Sequence, residues 1–520
     1  MTQWTQAARL AALPATGMLR VDNIGNVGAQ GNAIVLARCG ERVYAFAADC
    51  PHAGAPLNQG ALCHGRVVCP WHKSVFALES GAVLEPPALE GLRTFPVKIE
   101  GEDVYIDLHA PAPTSGSGER EGSRRFAIVG GGAAGAAAAA TLLENGFGGE
   151  LHLYAQEPEA PYDRTCLSKF VPAGEMAASE VPRLLPESCA RDPRLRIEHV
   201  AVAKVDTRLR RIALADGREA SFDAILIASG SAPQRLDIPG ADLGRIFTLR
   251  TLRDASAILD ALAPGEHAVM IGDSFIALET ASALRKRDVN VSIVTRTGVP
   301  LGAALGARVG LLFRDWHEAH GVTFHRGNAV RFEGESDVQA VQLDNGSTLR
   351  AQAVIVGVGV RPATRFVAGL ALGADGSVSV DASMRAAPGI YAAGDIARFM
   401  LCEGTGLPRG ARIEHWRVAQ QHARVAALNM LGHDARYAGV PYFWTAHYDK
   451  RIDYLGHAAQ WDEIALSGRL ADERFCAIYS RLGRVQAVLA CGYERETAQL
   501  IEQMREPIAT ELAQTVLGTR

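Results

Sequence analysis

Two segments of the chain share one local pattern, a short apolar strand followed by a turn of small residues and then a helix. The first, RRFAIVGGGAAGAAAAATLLENG, starts at Arg124, and the second, HAVMIGDSFIALETASALRKRD, starts at His267. A strand that runs into a turn of small residues and a helix N-terminus is typical of a βαβ unit that binds nucleotide phosphates. The repetition predicts two nucleotide-binding domains of the α/β class in one chain.

The sequence on either side of these segments has a different character. Residues 18–108 contain many short strand-like runs broken by Gly and Pro, which predicts a small all-β domain. The stretch HAPAPTSGSGEREGS at 109–123 is rich in Pro, Ser, Gly and charge, which predicts a flexible linker. From about Gly439 the chain becomes rich in aromatic residues (PYFWTAHYDKRIDYLG), and we expect a separate α+β domain there.

The fold class that follows is multidomain: an N-terminal all-β domain, then α/β nucleotide-binding domains of Rossmann type, then a small α+β domain. A length of 520 residues agrees with this division, because one hydrophobic core seldom serves more than about 300 residues. The predicted boundaries are 1–108 for the all-β domain, 109–123 for the linker, 124–243 and 364–435 for the two parts of the first nucleotide-binding domain, 244–363 for the second, and 436–520 for the C-terminal domain.

Composition excludes some classes of function. The formal net charge is -4 and no basic patch is present, so we expect no binding to nucleic acid. The uncharged run from Phe126 to Leu143 approaches the length of a membrane span, but its middle is Gly and Ala, and we expect no membrane span. Nine scattered cysteines and the lack of a secretory start predict a reducing, cytoplasmic location.

Two stretches near the start each place one Cys beside one His. ADCPHAGAPL contains Cys50 and His52, and VVCPWHKSVF contains Cys69 and His72, with sixteen residues between the two arms. Zinc fingers usually pair their cysteines and then their histidines. A Rieske 2Fe-2S centre instead needs two thiolates on one iron and two imidazoles on the other. The mixed arms predict a Rieske cluster, with a zinc site or a packed Cys/His set as the alternative.

The longer segments CPHAGAPL and CPWHKSVFALESGAVLEPP resemble Rieske ferredoxins and Rieske domains. Neither arm carries the additional cysteine with which membrane-complex Rieske proteins tie their loops, so the resemblance is to the soluble ferredoxin type. Cys63 and His64 lie between the arms, and we interpret them as loop residues outside the ligand set.

The first nucleotide segment contains a complete G-x-G-x-x-G motif made by Gly130, Gly132 and Gly135. Its glycines allow the backbone to approach a pyrophosphate at the helix N-terminus. A second strand, ELHLYAQE, ends near Glu157, which is a candidate to hydrogen-bond an adenosine ribose. The alternative for Glu157 is a solvated surface acid.

Three later segments, PYDRTCLSKF, ILIASGSAPQRLDIPG and GIYAAGDIA, occur in this order in FAD-dependent pyridine nucleotide oxidoreductases. The chain from Arg124 to Arg520 resembles that superfamily, and especially the ferredoxin reductases of oxygenase systems and the apoptosis-inducing factor group, which includes a Rieske-bearing type. The resemblance implies a Rieske domain at 1–108, an FAD-binding domain at 124–243 and 364–435, and an NAD(P)-binding domain at 244–363.

The same resemblance implies roles for individual residues. Asp395 would bind the ribityl or pyrophosphate part of FAD, and Arg164 and Lys169 would contact the flavin, with Lys169 near its redox-active nitrogen. Trp416, in IEHW, would pack near the isoalloxazine. The alternatives are surface cations for Arg164 and Lys169 and core packing for Trp416.

The second nucleotide segment places Gly272, Ser274 and Ala277 at the three glycine positions. Small residues still allow close approach, and family members of this type also use a GxSF variant, so a nicotinamide nucleotide is expected here. Glu279 matches the residue expected near the nicotinamide, the alternative being an ordinary helix carboxylate. Arg296 follows the next strand, either to pair with a 2'-phosphate or as a solvated residue, which leaves NADH and NADPH both open.

The chain returns to the FAD-binding domain at GVGVRPAT, where Gly359 is a further candidate for cofactor contact. With Lys169, Glu279 and Trp416 as candidate catalytic residues, the expected path runs from NAD(P)H through FAD and the Rieske cluster to an external acceptor, a ferredoxin or an oxygenase component. The enzyme would be a monomer or homodimer, and the linker composition motivates the hypothesis that the Rieske domain swings.

Two other functions stay open on the sequence. Cys166 could serve as the single redox cysteine of a disulfide or peroxide reductase, although it lies within the RxxLSK motif of thiol-free reductases. The resemblance to the apoptosis-inducing factor group also permits a redox-controlled interaction protein.

Overall fold

The structure is a computed structural model that describes residues 4–24, 33–110, 124–401, 410–470, 472 and 474–519. Most of the predicted linker, residues 111–123, lies outside the described residues. The predicted fold class is confirmed: an all-β region is followed by two α/β regions and a small C-terminal region of mixed structure. Within the described part of the chain, no helix is both long and apolar enough to cross a bilayer.

The N-terminal region consists of short antiparallel strands. In chain order, β1 to β11 are Trp4–Arg9, Thr16–Val21, Ile34–Cys39, Arg42–Ala47, Ala61–Cys63, Arg66–Val68, Val75–Ala77, Val83–Glu85, Thr94–Phe95, Val97–Glu100 and Asp103–Asp107. They form three sheets with strand orders β2-β3-β4-β9, β5-β6-β7-β8 and β1-β11-β10. The first strand, WTQAAR, lies before residue 18, where the predicted strands begin. It lacks the regular alternation of apolar and polar residues that marks a strand in the sequence, and it becomes a strand by pairing with β11.

The first α/β region begins with a strand, a turn and a helix, as the sequence predicts. Its elements are β12 Arg125–Val129, α1 Ala133–Glu144, β13 Glu150–Ala155, α2 Glu187–Ala190, β14 Leu195–His199, β15 Val202–Asp206, β16 Arg211–Leu214, β17 Glu219–Ser221, β18 Ala224–Ile227 and β19 Ser231–Pro233. Every residue of α1 except its last is buried. The apolar run at 126–143 is therefore a core strand and a core helix.

The second α/β region repeats this order around its own sheet. Its elements are β20 Ile246–Phe247, α3 Leu252–Ala261, β21 His267–Ile271, α4 Phe275–Arg285, β22 Asn290–Thr295, α5 Gly302–Ala319, β23 Val322–Arg326, β24 Ala329–Gly334, β25 Val338–Leu343, β26 Thr348–Arg350 and β27 Ala353–Val356. The five strands β20-β27-β21-β22-β23 pair in parallel throughout. A parallel sheet with helices in its crossovers is the nucleotide-binding arrangement that the duplicated segments predict.

The chain then returns to the first region. The returning elements are β28 Val360–Pro362, β29 Val367–Ala368, β30 Val378–Ser379, β31 Arg385–Ala387, β32 Ile390–Ala392, β33 Ala397–Arg398 and α6 Trp416–Met430. They complete a six-stranded sheet of order β14-β13-β12-β18-β32-β31, and α6 packs against the alanine-rich α1. The alanines allow the two helices to approach closely, and Ala134 of α1 and Ala419 of α6 both lie beside Gly394.

The C-terminal region contains a five-stranded antiparallel sheet of order β34-β35-β38-β37-β36 and two helices. These elements are β34 Tyr442–His447, β35 Lys450–Gly456, β36 Glu463–Gly468, β37 Phe475–Arg481, β38 Arg484–Cys491, α7 Glu494–Gln503 and α8 Thr510–Leu517. Part of the sheet shares a core with α5, through Phe313 and Trp316, and another part shares a core with β5 to β7 of the N-terminal region. The region joins its neighbours instead of standing apart, and it brings the Cys/His arms close to the α/β regions.

Candidate functional site

The two Cys/His arms are tight turns closed by their own backbone. In the arm after β4, the Cys50 amide donates to the Ala55 carbonyl (2.8 Å) and the Gly54 amide donates to the Cys50 carbonyl (2.9 Å). In the arm between β6 and β7, the Cys69 amide donates to the Ser74 carbonyl (2.8 Å). Gly54 has a φ of +74°, a conformation that glycine adopts without steric cost. The turns fix both cysteines at buried positions.

The arms bring the four predicted ligands together in like pairs. The two thiols are hydrogen-bonded to one another, which raises the pKa of Cys50 and lowers the pKa of Cys69 to about 6. The Nδ1 atoms of His52 and His72 lie 3.1 Å apart, with the rings edge to face. Among the described residues, no three His, Cys, Asp or Glu side chains form a group that could hold one metal ion. A thiol pair beside an imidazole pair fits a Rieske cluster, which takes one pair on each iron.

Cys63 and His64 lie apart from this group. Cys63, predicted as a loop residue, is the last residue of β5 and packs against the core shared with the C-terminal region. His64 lies in the following turn with a φ of +47°. Their exclusion from the ligand set stays a prediction, with packing and turn geometry as their observed roles.

The first glycine turn is shaped by steric contacts at two positions and by open space at the third. Gly130 has a φ of +121°, and a Cβ there would lie 2.3 Å from the carbonyl oxygen of Ala228. A Cβ on Gly135, the third residue of α1, would lie 1.8 Å from the carbonyl oxygen of Gly130. A Cβ on Gly132, the residue before α1, would meet nothing within 4 Å. The open space at a helix N-terminus fits the pyrophosphate of FAD.

Glu157 and Arg164 form part of a connected polar group near this turn. The Tyr162 hydroxyl donates to Glu157 Oε2 (2.5 Å), and the Arg164 guanidinium pairs with the other carboxylate oxygen. Arg164 also donates to the Arg250 carbonyl (2.8 Å). The alternative of a solvated surface cation is therefore wrong for Arg164. The carboxylate of Glu157 retains lone pairs for a ribose hydroxyl, and that contact stays a prediction.

Lys169 and Glu279 meet as a buried ion pair, although 110 positions separate them in the chain. Lys169 Nζ lies 2.9 Å from Glu279 Oε2, and the two side chains are only 7% and 5% exposed. The hydroxyls of Ser168 and Thr445 also donate to this carboxylate, each at 2.5 Å. The ring centroid of Trp444 lies 4.5 Å from Lys169 Nζ. Lys169 is therefore not a surface cation, and Glu279 is not an ordinary solvated helix carboxylate.

Asp395 and Trp416 lie on the returning part of the first α/β region. Asp395 belongs to a short 3-10 turn after β32, and its Oδ2 lies 3.3 Å from Arg250 Nη2. Trp416 is the first residue of α6 and is half-buried. The Arg250 carbonyl also accepts from Arg164, which pairs with Glu157. The structure therefore connects three of the predicted flavin-side residues, namely Glu157, Arg164 and Asp395.

The second turn keeps the first glycine and replaces the other two. Gly272 has a φ of +106°, and a Cβ there would lie 2.5 Å from the carbonyl oxygen of Gly357. Ser274 is the N-cap of α4, and its hydroxyl accepts a hydrogen bond from the Ala277 amide (3.3 Å). Ser274 thus caps the helix, a role that a serine immediately before FIALE could have indicated from sequence.

Two further predicted residues flank the second turn. Gly359 follows β27 with a φ of +107°. Arg296 lies just beyond β22 and is exposed, while Thr295 before it is buried and donates to Asp273 Oδ2 (2.5 Å). An exposed Arg at the end of this strand is positioned to meet a 2'-phosphate, although pairing with a nucleotide stays a prediction.

A cavity of about 700 Å³ joins the Cys/His arms to the flavin-side residues. Its lining includes His52, His72, Cys166, Trp416 and Trp444. The rings of His72 and Trp444 have centroids 5.1 Å apart. One continuous space therefore borders the two predicted histidine ligands and Trp416, one of the residues assigned to the isoalloxazine.

Buried charges that the sequence reasoning missed hold the arm at this cavity. Lys73, which directly follows the ligand His72, is fully buried and pairs with Asp453 of β35 at 2.8 Å. Asp453 also accepts from Arg451 (3.0 Å) and from the Tyr442 hydroxyl (2.9 Å). A lysine beside a ligand was visible in the sequence, but its partner 380 positions away was not.

A second ionic contact lies beside the first. The buried guanidinium of Arg417 donates to the carbonyls of Pro86 (2.8 Å) and Lys73 (3.0 Å) and lies 3.6 Å from the carboxylate of Glu85. Arg505 pairs with the same carboxylate at 3.0 Å. The N-terminal region is therefore docked on α6 and on the C-terminal region by buried charges.

Cys166 borders the cavity but is 4% exposed. Burial, followed by the nearby charge of Asp163, raises the pKa of its thiol to about 12. Because the thiolate is the nucleophile in disulfide and peroxide reduction, this environment disfavours the Cys166-dependent alternative.

The fold and the site together define a class: an FAD-dependent NAD(P)H oxidoreductase that carries a Rieske domain. Three family models match the chain in this order: a Rieske 2Fe-2S domain at residues 4–96, a pyridine nucleotide-disulphide oxidoreductase at 124–423, and a reductase C-terminal domain at 442–518. The chain belongs to the pyridine nucleotide-disulphide oxidoreductase family.

Known proteins agree with this placement. Apoptosis-inducing factor 3 of Mus musculus is 34% identical over 90% of this chain and 79% of its own length. The biphenyl dioxygenase system ferredoxin--NAD(+) reductase component of Paraburkholderia xenovorans is 33% identical over 71% of this chain and 90% of its own. The structure of a putidaredoxin reductase–putidaredoxin complex matches with a TM-score of 0.69 at 26% identity, covering 76% of this chain and 96% of that chain.

Proposed function

We propose that this oxidoreductase takes electrons from NADH or NADPH and passes them through its own Rieske cluster to an external ferredoxin or oxygenase component. The observation that carries the proposal is the shared cavity, which is lined by His52, His72 and Trp416. Bound FAD would supply the conversion between a two-electron hydride and single electrons. The related ferredoxin reductases of oxygenase systems support an electron-transfer role.

The chain's own residues bind and orient the cofactors in this proposal. For FAD, the turn of Gly130, Gly132 and Gly135 holds the pyrophosphate, while Glu157, Arg164, Lys169, Asp395 and Trp416 contact the remaining parts. For the nicotinamide nucleotide, the proposed contacts are Gly272, Ser274, Glu279 and Gly359. Lys169 and Glu279 neutralise one another beside the reacting ring, which holds a charged group there without an unpaired buried charge.

Three exposed residues of the two arms lie beside the predicted histidine ligands and also line the cavity. Pro51 and Ala53 of the first arm are exposed, and Trp71 of the second is 36% exposed. We propose that the external acceptor docks on this rim of the cavity, defined by Pro51, Ala53 and Trp71, and would take electrons through His52 or His72. Electron transfer from flavin to cluster would then take place with the Rieske domain in its docked position. This differs from the hypothesis, based on the linker composition, that the Rieske domain swings.

We keep the predicted domain boundaries, the monomer or homodimer and the cytoplasmic location as parts of this proposal. The described cysteines are all free of disulfides, which agrees with a reducing compartment. The external acceptor is proposed by its chemistry, a one-electron carrier with a surface that complements the rim.

An anaerobic stopped-flow experiment tests the path. The holoenzyme is mixed with NADH or NADPH while the flavin and cluster absorption bands are followed separately, first alone and then with a Rieske-type or plant-type ferredoxin. We expect flavin reduction to be followed by cluster reduction, and the cluster to be reoxidised by the ferredoxin. Equal ferredoxin reduction by a Cys69→Ser variant without a cluster would contradict the proposal, and Cys476→Ser is the matched control for loss of a buried thiol.

Docking is tested separately with Asp453→Asn. This change leaves Lys73 and Arg451 buried without their carboxylate, a loss typically worth about 3–5 kcal/mol. We expect slower transfer from flavin to cluster and unchanged flavin reduction by NAD(P)H. Asp449→Asn removes an exposed carboxylate from the neighbouring turn and should change neither step. Unchanged internal transfer in Asp453→Asn would show that the docked position is not required.

A further inference from the structure

A series of hydrogen-bonded side chains starts at Glu279. The Thr445 hydroxyl donates to Glu279 Oε1 (2.5 Å) and lies 3.0 Å from Nε2 of His447. Nδ1 of His447 lies 3.3 Å from Nε2 of His317, and Nδ1 of His317 lies 2.9 Å from the Tyr448 hydroxyl. Four consecutive hydrogen bonds thus join a carboxylate beside the proposed flavin site to the ring of Tyr448.

The donor and acceptor capacity of each group determines which atom donates in every hydrogen bond of this series. A carboxylate only accepts, so Thr445 donates to Glu279 and must accept from Nε2–H of His447. Nδ1 of His447 is then the acceptor for Nε2–H of His317. Nδ1 of His317 in turn accepts from the Tyr448 hydroxyl. All four donors point toward Glu279, and both imidazoles are neutral with one donor and one acceptor nitrogen.

Burial keeps both imidazoles in that neutral form. It lowers the pKa of His447 to about 3, with the charge of Lys169 acting in the same direction, and it lowers the pKa of His317, with His447 and His320 adding to the effect. A neutral imidazole can take a proton on one nitrogen and give up the proton on the other. The series therefore has the chemistry of a relay and not of a static ion pair.

The outer end of the series reaches the surface. Tyr448 is half-buried, and its ring stacks on the exposed His320 with centroids 3.6 Å apart and planes 13° from parallel. Thr445, His447 and His317 are buried. Tyr448 is therefore the member of the series at which we place proton exchange with water, while the inner members are shielded.

The proposed function creates a need for such a relay. Oxidation of the nicotinamide follows NAD(P)H → NAD(P)+ + H+ + 2 e−, and an iron-sulfur cluster that passes electrons onward carries no proton with them. One proton must leave the buried site for each hydride. Once Glu279 is protonated it can donate through Oε1, and the direction of the series reverses when both imidazoles change to the Nδ1–H form. Each member then accepts one proton on its inner side and gives one up on its outer side, and Tyr448 passes its own proton to water. This transfer restores the original Nε2–H forms and the ionised Glu279.

We propose that Glu279, Thr445, His447, His317 and Tyr448 form a proton relay that releases to solvent the proton left by each hydride. The proposal rests on the proposed electron path. His447 and His317 are positioning and relay residues, since neither borders the cavity.

The test uses His447→Gln in the holoenzyme. A glutamine amide can donate to Thr445 and accept from His317, so it preserves the packing and the hydrogen bonds, but it cannot pass a proton. His267→Gln is the matched control, because His267 is a half-buried imidazole of the same region that bonds Ser292 (2.9 Å) outside the series. Stopped-flow traces follow NAD(P)H oxidation, a one-electron acceptor and a pH-indicator dye together.

In the parent and in His267→Gln we expect one proton per NAD(P)H, released together with electron delivery. In His447→Gln we expect proton release to slow about tenfold or more, with a larger solvent isotope effect on the same phase. Tyr448→Phe, which cuts the outer link, should show the same direction of change. Proton release as fast as in the parent in both variants would overturn the relay.

A second readout does not depend on turnover. Redox-difference infrared spectra of the electrochemically reduced holoenzyme distinguish Nε2–H from Nδ1–H imidazole by their ring modes. We expect Nε2–H forms for His317 and His447 in the oxidised protein and a histidine band change on reduction that His447→Gln removes. A parent that passes no electrons to the acceptor would refute the proposed function, whereas unchanged histidine bands on reduction would refute the relay.

Discussion

The two strand-turn-helix units of this chain place the same structural positions under different constraints. In both, the first position is a glycine at the turn, the second is the N-cap and the third is the third residue of the helix. The first unit has Gly130, Gly132 and Gly135. In the second unit, Ser274 occupies the N-cap and Ala277 the third helical position.

The difference separates three requirements that a G-x-G-x-x-G motif combines. The first glycine is required by the backbone in both units, because a Cβ would meet a carbonyl oxygen at 2.3 Å for Gly130 and 2.5 Å for Gly272. A glycine at the third position is required only where the helix approaches the turn closely, as at Gly135. At the second position, Gly132 of the first unit has no side chain to cover the helix N-terminus. In the second unit this position is Ser274, whose hydroxyl accepts a hydrogen bond from the Ala277 amide.

The largest effect is expected from alanine at the first position. Gly130→Ala would force the turn away from the Ala228 carbonyl, and we expect the protein to be purified without FAD. Gly272→Ala should retain FAD and bind NAD(P)H about a hundredfold more weakly, corresponding to about 3 kcal/mol of lost interaction. Flavin content by absorbance and flavin reduction by NAD(P)H measure the two outcomes.

A control separates backbone strain from collision in this pair. Gly217 also has a positive φ, +88°, but a Cβ there would meet nothing within 4 Å. Gly217→Ala should therefore keep both FAD and NAD(P)H binding. If Gly130→Ala retained FAD as well as Gly217→Ala does, the contact with Ala228 would not be the constraint.

The third position should give the next largest effect and should differ between the units. Gly135→Ala places a Cβ 1.8 Å from a backbone oxygen that no side-chain rotation can relieve, and we expect a loss of about 3 kcal/mol in the free energy of unfolding. Ala277→Gly should cost about 1 kcal/mol through helix propensity. Urea unfolding followed by flavin fluorescence and circular dichroism measures both. Equal costs would mean that the two helices approach their turns alike.

The sequence predicts these local strand-turn-helix units but not the contacts that join them to the rest of the molecule. The strand, the turn and the helix at Gly130 follow from neighbouring residues, and so does the mixed Cys/His character of the arms. The ion pair of Lys73 with Asp453 depends on how distant elements pack, as does the contact of His317 with His447. The spacing of residues in the sequence does not show how a Rieske arm packs against β35. The docked position and the proposed relay can therefore be identified only from the three-dimensional structure.

The second position should give smaller effects, visible in binding and not in folding. Gly132→Ser adds a side chain in open space, so the protein should fold, but the hydroxyl can cap α1 and fill the proposed pyrophosphate site. We expect FAD to dissociate about tenfold more readily, equivalent to about 1.4 kcal/mol. Titration of the FAD-depleted protein with FAD measures the change.

The reciprocal variant, Ser274→Gly, should be nearly neutral. Glycine replaces serine at an N-cap at a cost of only a few tenths of a kcal/mol. We expect the Kd for NAD(P)H to change by less than about threefold, because the amide of Ala277 becomes available as the serine hydroxyl is lost. Equal loss of binding in the two variants would indicate that both N-caps contact phosphate through the same atoms.

An effect that is absent at acid pH is expected at the opposite ends of the two helices, where α1 ends in Glu144 and α4 ends in Arg285. An anion at a helix C-terminus is unfavourable and a cation is favourable. Burial raises the pKa of Glu144 to about 7, against the opposing charge of Arg424. The folded protein therefore holds this proton more tightly than the unfolded chain, so stability falls as pH rises through the interval between the ordinary and the raised pKa. Glu144→Gln should leave Tm unchanged at about pH 5 and raise it at about pH 8, as measured by differential scanning calorimetry. Glu511→Gln, at an exposed helical position, should show no such pH-dependent gain. A gain of equal size in both variants would assign the effect to net charge and not to the partly buried Glu144.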